Sequence, residues 1–522
     1  MNCGANILNH IDAASGSEAT IAADPENRSN HSNLILGICC MSVLIFGMDI
    51  TIVNVALPTI QYDLHATIAG LQWILDAYTL VIASFLMLAG SMSDRFGRRR
   101  VFQIGFGLFT VASLLCSLAR GIGELIAFRA LQGLGASMLN PVALSIIANA
   151  FQEPKTRARA VGVWGAAFGV ALALGPLIGG ALTQAVGWRS IFWINVPIGC
   201  AAVALAARFV PESKALRARA FDPAGQLLVF VGLASLTSAV IEGPRAGWTS
   251  WLILGLFASS GMALAIFLLY EPRCKDPLVD LRFFQSVPFS SATILALCTF
   301  ASFAGFLFLN TLYLEQVRGV SAFRTGFFTL PLAIMIIICA PLSGRLVGVH
   351  GTRPSLLAAG TGLLLSSLML THLNIGTPVV LLMLPYASFG VGYGMVNPAI
   401  TNNAVAGMPL SQVGVASAIA STSRQVGAAL GIAVAGTVVA AGRSRGSDFT
   451  QTTHPMWWIM TGCGAVILLL GWVSNTPWAQ ASSSRVAHLF DNRRHGCQRQ
   501  NMHLDQRLRG CQPDTAEEME RG

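Results

Sequence analysis

Charge is what this chain has least of. Of its 522 residues, 11% are Asp, Glu, Lys or Arg, and 54% are hydrophobic. A soluble domain carries about 25% charged residues, so a water-facing surface cannot be built here in the ordinary way and the bilayer is the fitting solvent. Lysine occurs only as Lys155, Lys214 and Lys275. None stands in a G-K-[ST] context, which excludes a P-loop and argues against direct use of ATP. The 11 cysteines contain no C-x-x-C spacing and mostly lie in apolar runs. They read as reduced, small apolar side chains, with no metal and no cofactor expected. No basic start with an apolar core precedes Leu34, so the first apolar segment is expected to remain as a signal anchor. Between Glu315 and Asp448 there is no Asp or Glu at all.

Long apolar runs are abundant. A helix needs about 20 apolar residues to cross the hydrocarbon, and such runs occur near 34–58, 70–92, 101–119, 122–150, 159–186, 190–210, 223–243, 250–270, 289–315, 325–348, 354–373, 378–404, 413–441 and 455–475. The short gaps leave no room for an extramembrane domain. Even-numbered gaps hold 16 basic residues against 7 in the odd ones. The positive-inside bias therefore places the even gaps and both termini in the cytoplasm. The same bias accounts for the formal charge of +9 without a nucleic-acid partner.

Two stretches repeat. "GASMLNPVAL" (135–144) and "GYGMVNPAIT" (392–401) share G-x-x-M-x-N-P. "GSMSDRFGRRR" and "GRLVGVHGTRP" share the spacing of Gly90, Gly97 and Arg99 with Gly344, Gly351 and Arg353. Both pairs are offset by eight spans, which points to parallel six-span halves at 34–210 and 289–475, with an inserted pair at 223–270. Parallel halves of this kind occur in transporters, with the substrate site near the midplane between them. Polar segments at 1–33 and 478–522 flank them, the second expected to be disordered, with His488, His495 and His503 too irregularly spaced for a metal site.

The motifs "MDITIVNVALP", "GSMSDRFGRRR", "AFRALQGLGAS", "GVALALGPLIGG", "SIFWINVPIG", "FGVGYGMVNPAITN" and "GVASAIASTSRQVGAALG" occur in this order. Together they resemble the major facilitator superfamily, and within it the fourteen-span drug:proton antiporters, over residues 34 to 475. The resemblance implies an all-α membrane protein with the major facilitator fold, two six-helix halves plus two inserted helices. It implies a bacterial plasma-membrane exporter of lipophilic or cationic small molecules in exchange for protons, acting as a monomer. It also implies an arginine associated with proton coupling in the "AFRALQGLGAS" motif and an exporter signature in "GVALALGPLIGG". An importer of a small metabolite on the same fold is the alternative. A membrane enzyme would need an acid or His/Asp cluster at one face, and no loop offers one.

Residue by residue, Asp49, Asp76 and Arg129 are the ionisable groups deep in the first half. A charge in hydrocarbon is expensive and faces a cavity or a partner. With the first span ending near Pro58, Asp49 and Arg129 have matching depths and can be neighbours. Burial and a nearby cation act oppositely on a carboxyl group, so Asp49 could carry the coupled proton with Arg129 tuning it, or the two could be a permanent bridge. Asp76, Gln132, Asn54 and Arg424 are candidates for the substrate cavity. Gly90 and Gly97 permit a tight turn, and Asp94 with Arg95 and Arg98 could form a charged latch between the halves, or only a solvated basic loop. Gly175, Pro176, Gly179 and Gly180 allow a kink and close helix contact. Glu315 is either a further coupling group or a solvated helix end. Asp222, before Pro223, reads as a helix N-cap.

Overall fold

Among the described residues, fourteen helices are long and apolar enough to cross a membrane, the number expected from the sequence. They are α1 (Ser32–Asp63), α2 (Ile68–Phe96), α3 (Arg98–Leu118), α4 (Ile122–Ala150), α5 (Lys155–Ala185), α6 (Ser190–Phe209), α7 (Pro223–Ala246) and α8 (Trp251–Arg273), then α9 (Val287–Val317), α10 (Ala322–His350), α11 (Thr352–Thr371), α12 (Val380–Val405), α13 (Val413–Gly442) and α14 (Phe449–Val473). The computed structural model describes residues 25–214, 222–274, 277–374, 376–408, 412–444 and 448–486, and no strand occurs among them. Residues 1–24 and 487–522, with the three tail histidines, lie outside the described residues.

Most helices outrun the apolar stretches that announce them, because a helix does not stop where hydrocarbon stops. Pro58 removes one backbone donor, yet α1 continues to Asp63. Asp49 is therefore 14 residues, about 21 Å, from the end of its helix, farther than in a helix ending at Pro58. In the same way α2 runs through Gly90 to Phe96, since "SMSDR" holds no breaker. Only Gly97 makes the turn, at φ +113°. The expectation of disorder from Trp478 onward fails at its start: residues 477–486 are helical. The hydroxyl of Ser482 accepts from the Val287 amide at 2.9 Å, and Val486 is buried against Phe283 and Phe289.

Helix pairing repeats along the chain. α1 packs on α5, α3 on α4 and α6, and α2 on α4; α9 packs on α13, α11 on α12 and α14, and α10 on α12. Each pairing in the second series is the first shifted by eight helices. The crossings are marked by glycines with a common offset. A Cβ on Gly135 would lie 2.5 Å from the Phe109 amide nitrogen, and one on Gly392 2.8 Å from that of Leu363. Their partners across the crossing, Gly105 and Gly362, are equally short of room, and 392 − 135 and 362 − 105 both equal 257. In a membrane, where lipid is as apolar as leucine, such close backbone approach is a main source of helix association.

The two series meet through α2 with α13 and through α5 with α10, and α7 packs against α2 and α13 beside α8. Closure is uneven. Near the α1–α2 connection, a Cβ on Gly180 would strike Ala322 and one on Gly326 would strike Pro176. There the Gln316 amide also donates to Gln61 Oε1 at 2.6 Å. Farther along, a Cβ on Gly169 would lie 3.6 Å from Ile337, and one on Gly165 or Gly162 would meet nothing within 4 Å. α5 and α10 thus part toward the end that carries Gly97.

Gly135→Ala is expected to lower the thermal unfolding midpoint in detergent, since overpacking costs about 1–3 kcal/mol. Gly107→Ala, with open space around its Cβ, should leave it unchanged or raise it. Equal midpoints for the two would contradict the crossing.

Candidate functional site

The deep charges of the first six helices converge on one network. Arg129 Nη1 donates to Asp49 Oδ2 at 2.7 Å, with the two side chains 1% and 0% exposed. The other Asp49 oxygen accepts from Gln132 Nε2 at 3.0 Å and Asn195 Nδ2 at 3.4 Å. Arg129 Nε donates to the Ile74 carbonyl at 3.1 Å, and Nη1 also reaches Gln132 Oε1 at 2.6 Å. Gln132 Nε2 donates in addition to Ser113 Oγ at 2.8 Å. The guanidinium carbon lies 4.1 Å from the Tyr78 ring centroid, a cation–π contact strengthened by the absence of water. Five helices, α1, α2, α3, α4 and α6, each supply a partner.

Local sequence explains the placement. Arg129 and Gln132 are three residues apart on α4 and so share a face. Gly133, beside them, lets α4 approach the α2 backbone: a Cβ there would sit 2.6 Å from the Tyr78 carbonyl. Asn195 and Ser113 were not singled out from the sequence. The asparagine in "WINVPIG" was the available signal, a lone amide in an apolar span.

Asp76 is different. It is fully buried one turn beyond Gln72, whose amide donates to the Ile432 and Ala433 carbonyls of α13 at 3.4 and 2.7 Å. Neither Asp76 oxygen has a hydrogen-bond partner among the described residues. Asn54 spends its amide on the Ile50 carbonyl of its own helix at 2.8 Å, leaving Oδ1 without a partner. Arg424, on α13, donates to Thr401 Oγ1 of α12 at 2.8 Å, and Nη1 lies 3.5 Å from Ser421 Oγ. Asp49, Arg129 and Gln132 are therefore one site, while Asp76, Asn54 and Arg424 do not join it.

The "GSMSDRFGRRR" loop makes its contacts locally. Asp94 pairs with Arg98 at 3.2 Å, Arg95 lies over the Phe96 ring at 5.9 Å, and the Arg99 amide donates to Glu212 Oε1 at 3.1 Å. Arg100 stands 3.7 Å from the same carboxylate. A Cβ on Gly97 would meet Glu212. Among the described residues no ion pair joins this loop to α9–α14, so the expected latch between the halves is not made in this conformation. Gly90 faces open space.

The exporter-like stretch makes two contacts at once. Gly175 and Gly179 admit Met48, Thr51 and Ile52 of α1, while Pro176 and Gly180 face Gly326 and Ala322 of α10. The helix stays continuous through Pro176. Glu315 lies in a π-helical turn closing α9, half-buried, with Oε1 unpartnered. Asp222 caps α7 by accepting from the Gly225 amide at 2.9 Å. It also lies near the buried Glu271 and Cys274, a proximity the sequence did not reveal.

The profile described as the Major Facilitator Superfamily matches residues 39–432. The "Multidrug resistance protein Stp" of Mycobacterium tuberculosis (strain CDC 1551 / Oshkosh) is 38% identical over 402 residues, covering 77% of this chain and 74% of that protein. The "Tetracenomycin C resistance and export protein" of Streptomyces glaucescens is 36% identical over 404 residues, with coverages of 77% and 74%. Among solved structures, the human organic anion transporter MFSD10 matches with a TM-score of 0.59 at 16% identity, over 86% of this chain and 99% of that one, which is a likeness of fold.

Breaking a buried ion pair from one side leaves an uncompensated charge and costs about 3–5 kcal/mol. Arg129→Gln should therefore destabilise the protein more than the double variant Asp49→Asn/Arg129→Gln, in denaturant titration of the purified protein. A double variant as damaged as the sum of the singles would contradict the coupling.

Proposed function

The chain belongs to the major facilitator superfamily, and from that membership we propose that it is a proton-coupled exporter of lipophilic small molecules, working by alternating access. The names of its relatives, which speak of multidrug resistance and of tetracenomycin C resistance and export, support the outward direction. In this reading α1–α6 and α9–α14 are the two rocking halves, and α7 and α8 are the inserted pair. The α2–α13 and α5–α10 contacts are the surfaces they rock about. Both termini are assigned to the cytoplasm on the arginine bias, in a bacterial plasma membrane. The parting of α5 and α10 toward Gly97 then makes this conformation inward-facing, and a single chain suffices.

One observation carries the proton coupling. The first half holds two buried carboxyl groups, and only one is compensated. Asp49 has a guanidinium and two amides, while Asp76 has no donor on either oxygen. An unpaired buried charge is among the most expensive arrangements in a protein, so Asp76 fits the α2–α13 crossing as the neutral acid. When the crossing opens and water enters, the ionised form becomes affordable and the proton can leave. Asp49 serves as the paired partner of Arg129, and proton exchange there requires Arg129 to withdraw. The Asp94 loop, through Gly97 and Arg98, and the Gly175–Gly180 stretch of α5 are the moving parts at the gates.

In energised cells the dye content should rise when a protonophore is added. Asp49→Asn and Asp76→Asn should each lose at least tenfold of gradient-driven export while the purified variants still bind dye. Undiminished uphill export by the double Asn variant would refute the proton role of both.

A further inference from the structure

Arg424 is a cation without a counter-charge. It lies near the middle of α13, where a guanidinium stays protonated whatever its surroundings. Its two described acceptors, the hydroxyls of Thr401 and Ser421, are neutral, and its Nε is buried with no acceptor. No acid is available from α10–α13, since none exists between Glu315 and Asp448, and Glu315 closes α9, 15 residues beyond Phe300. Asp49 is already taken by Arg129, and among the described residues no ion pair reaches Arg424. Lipid is not its surroundings either. Thr401 is exposed, Asn397 one turn earlier on α12 is partly so, and both are polar. A charged and polar strip at this depth belongs to a water-filled interior. Aromatic surface stands beside it: the Phe300 ring of α9 lies 5.9 Å from the guanidinium carbon and 5.4 Å from the Tyr393 ring.

We propose that Arg424 is a substrate-docking residue, and that the exported compounds are lipophilic aromatic anions, carboxylates or acidic phenols, rather than the cations that the two aspartates of the first half suggest. This rests on the exporter reading and narrows its substrate class. Arginine carries five donors in a planar fork suited to a carboxylate. Two of its nitrogens meet hydroxyls here and the third meets nothing, so donor capacity is left for a ligand. An aromatic body can lie against Phe300 while its acidic oxygen meets the fork. A cationic substrate would add a second positive charge with no carboxylate between Glu315 and Asp448 to hold it.

The test uses the purified full-length protein in detergent and two dyes with one ring body and opposite charge, the anion fluorescein and the cation rhodamine 6G, followed by fluorescence polarisation. Fluorescein should bind the wild type, Arg424→Gln should weaken it at least tenfold, and Arg424→Lys should keep an intermediate affinity. Rhodamine 6G binding should not fall in Arg424→Gln. Thermal midpoints identify any variant that fails to fold. The wild type alone gives an independent reading: 2-naphthoate should displace fluorescein and a naphthylmethylammonium ion should not. Fluorescein binding that is absent in the wild type, unchanged in Arg424→Gln, or displaced equally by both competitors overturns the proposal. Protonophore-sensitive export is measured separately. A protein that binds fluorescein through Arg424 but exports nothing loses the exporter reading and keeps the anion site. One that exports rhodamine 6G and ignores fluorescein does the reverse.

Discussion

A guanidinium and a carboxylate 2.7 Å apart, both closed to solvent, hold five of the first six helices in one arrangement. Such a pair contributes little net stability, because desolvation cancels most of the Coulomb attraction. What it imposes is geometry. Arg129 must present its nitrogens to Asp49, Gln132 and the Ile74 carbonyl at once, and Asp49 must be reached by Gln132 and Asn195 as well. A shift of any of the five contributing helices leaves a charge or an amide bare in a medium without water to replace it.

The second series of helices repeats the pairing with different chemistry. It has no acid between Glu315, in the turn closing α9, and Asp448, before α14, and many of its polar contacts are hydroxyls bonded to backbone carbonyls: Ser343 and Ser355 to Met395 at 2.6 and 2.7 Å, Ser366 to Pro385 at 2.7 Å, Ser388 to Gly362 at 2.9 Å. Shared glycine crossings let one helix arrangement carry both. The charge-bearing series suits proton exchange. The second series places only the neutral hydroxyls of Thr401 and Ser421 against its deep guanidinium, Arg424, among the described residues. That division follows from where the aspartates are and are not.

Much of this was legible early. The fourteen runs, the eight-helix repeat and the family likeness rest on periodicity and motif order, which bilayer thickness and backbone satisfaction constrain tightly. The pairing of Asp49 with Arg129 was also within reach, since two opposite charges at depth have few places to go. The end of the first helix was misplaced because Pro58 was read as one, and prolines are tolerated inside membrane helices where neighbours repair the loss. The latch across the halves was not made, because Asp94 has Arg98 one turn away and the nearest carboxylate for the loop arginines, Glu212, belongs to the same half. The helix at 477–486 was hidden because "WAQASSSRVA" has little apolar periodicity, and only docking on the start of α9 buries its few apolar side chains.

The amino-acid order by itself determined that this chain lives in a bilayer, how many times it crosses, and that no acid stands between Glu315 and Asp448, because composition and run length settle such matters without knowledge of neighbours. Which polar groups are satisfied was decided only by the tertiary structure. Asp49 and Asp76 are the same residue type in similar apolar runs. One meets a guanidinium and two amides and the other has no hydrogen-bond partner among the described residues, since hydrogen bonds depend on ångström-scale approach between helices that lie dozens to hundreds of residues apart in the chain.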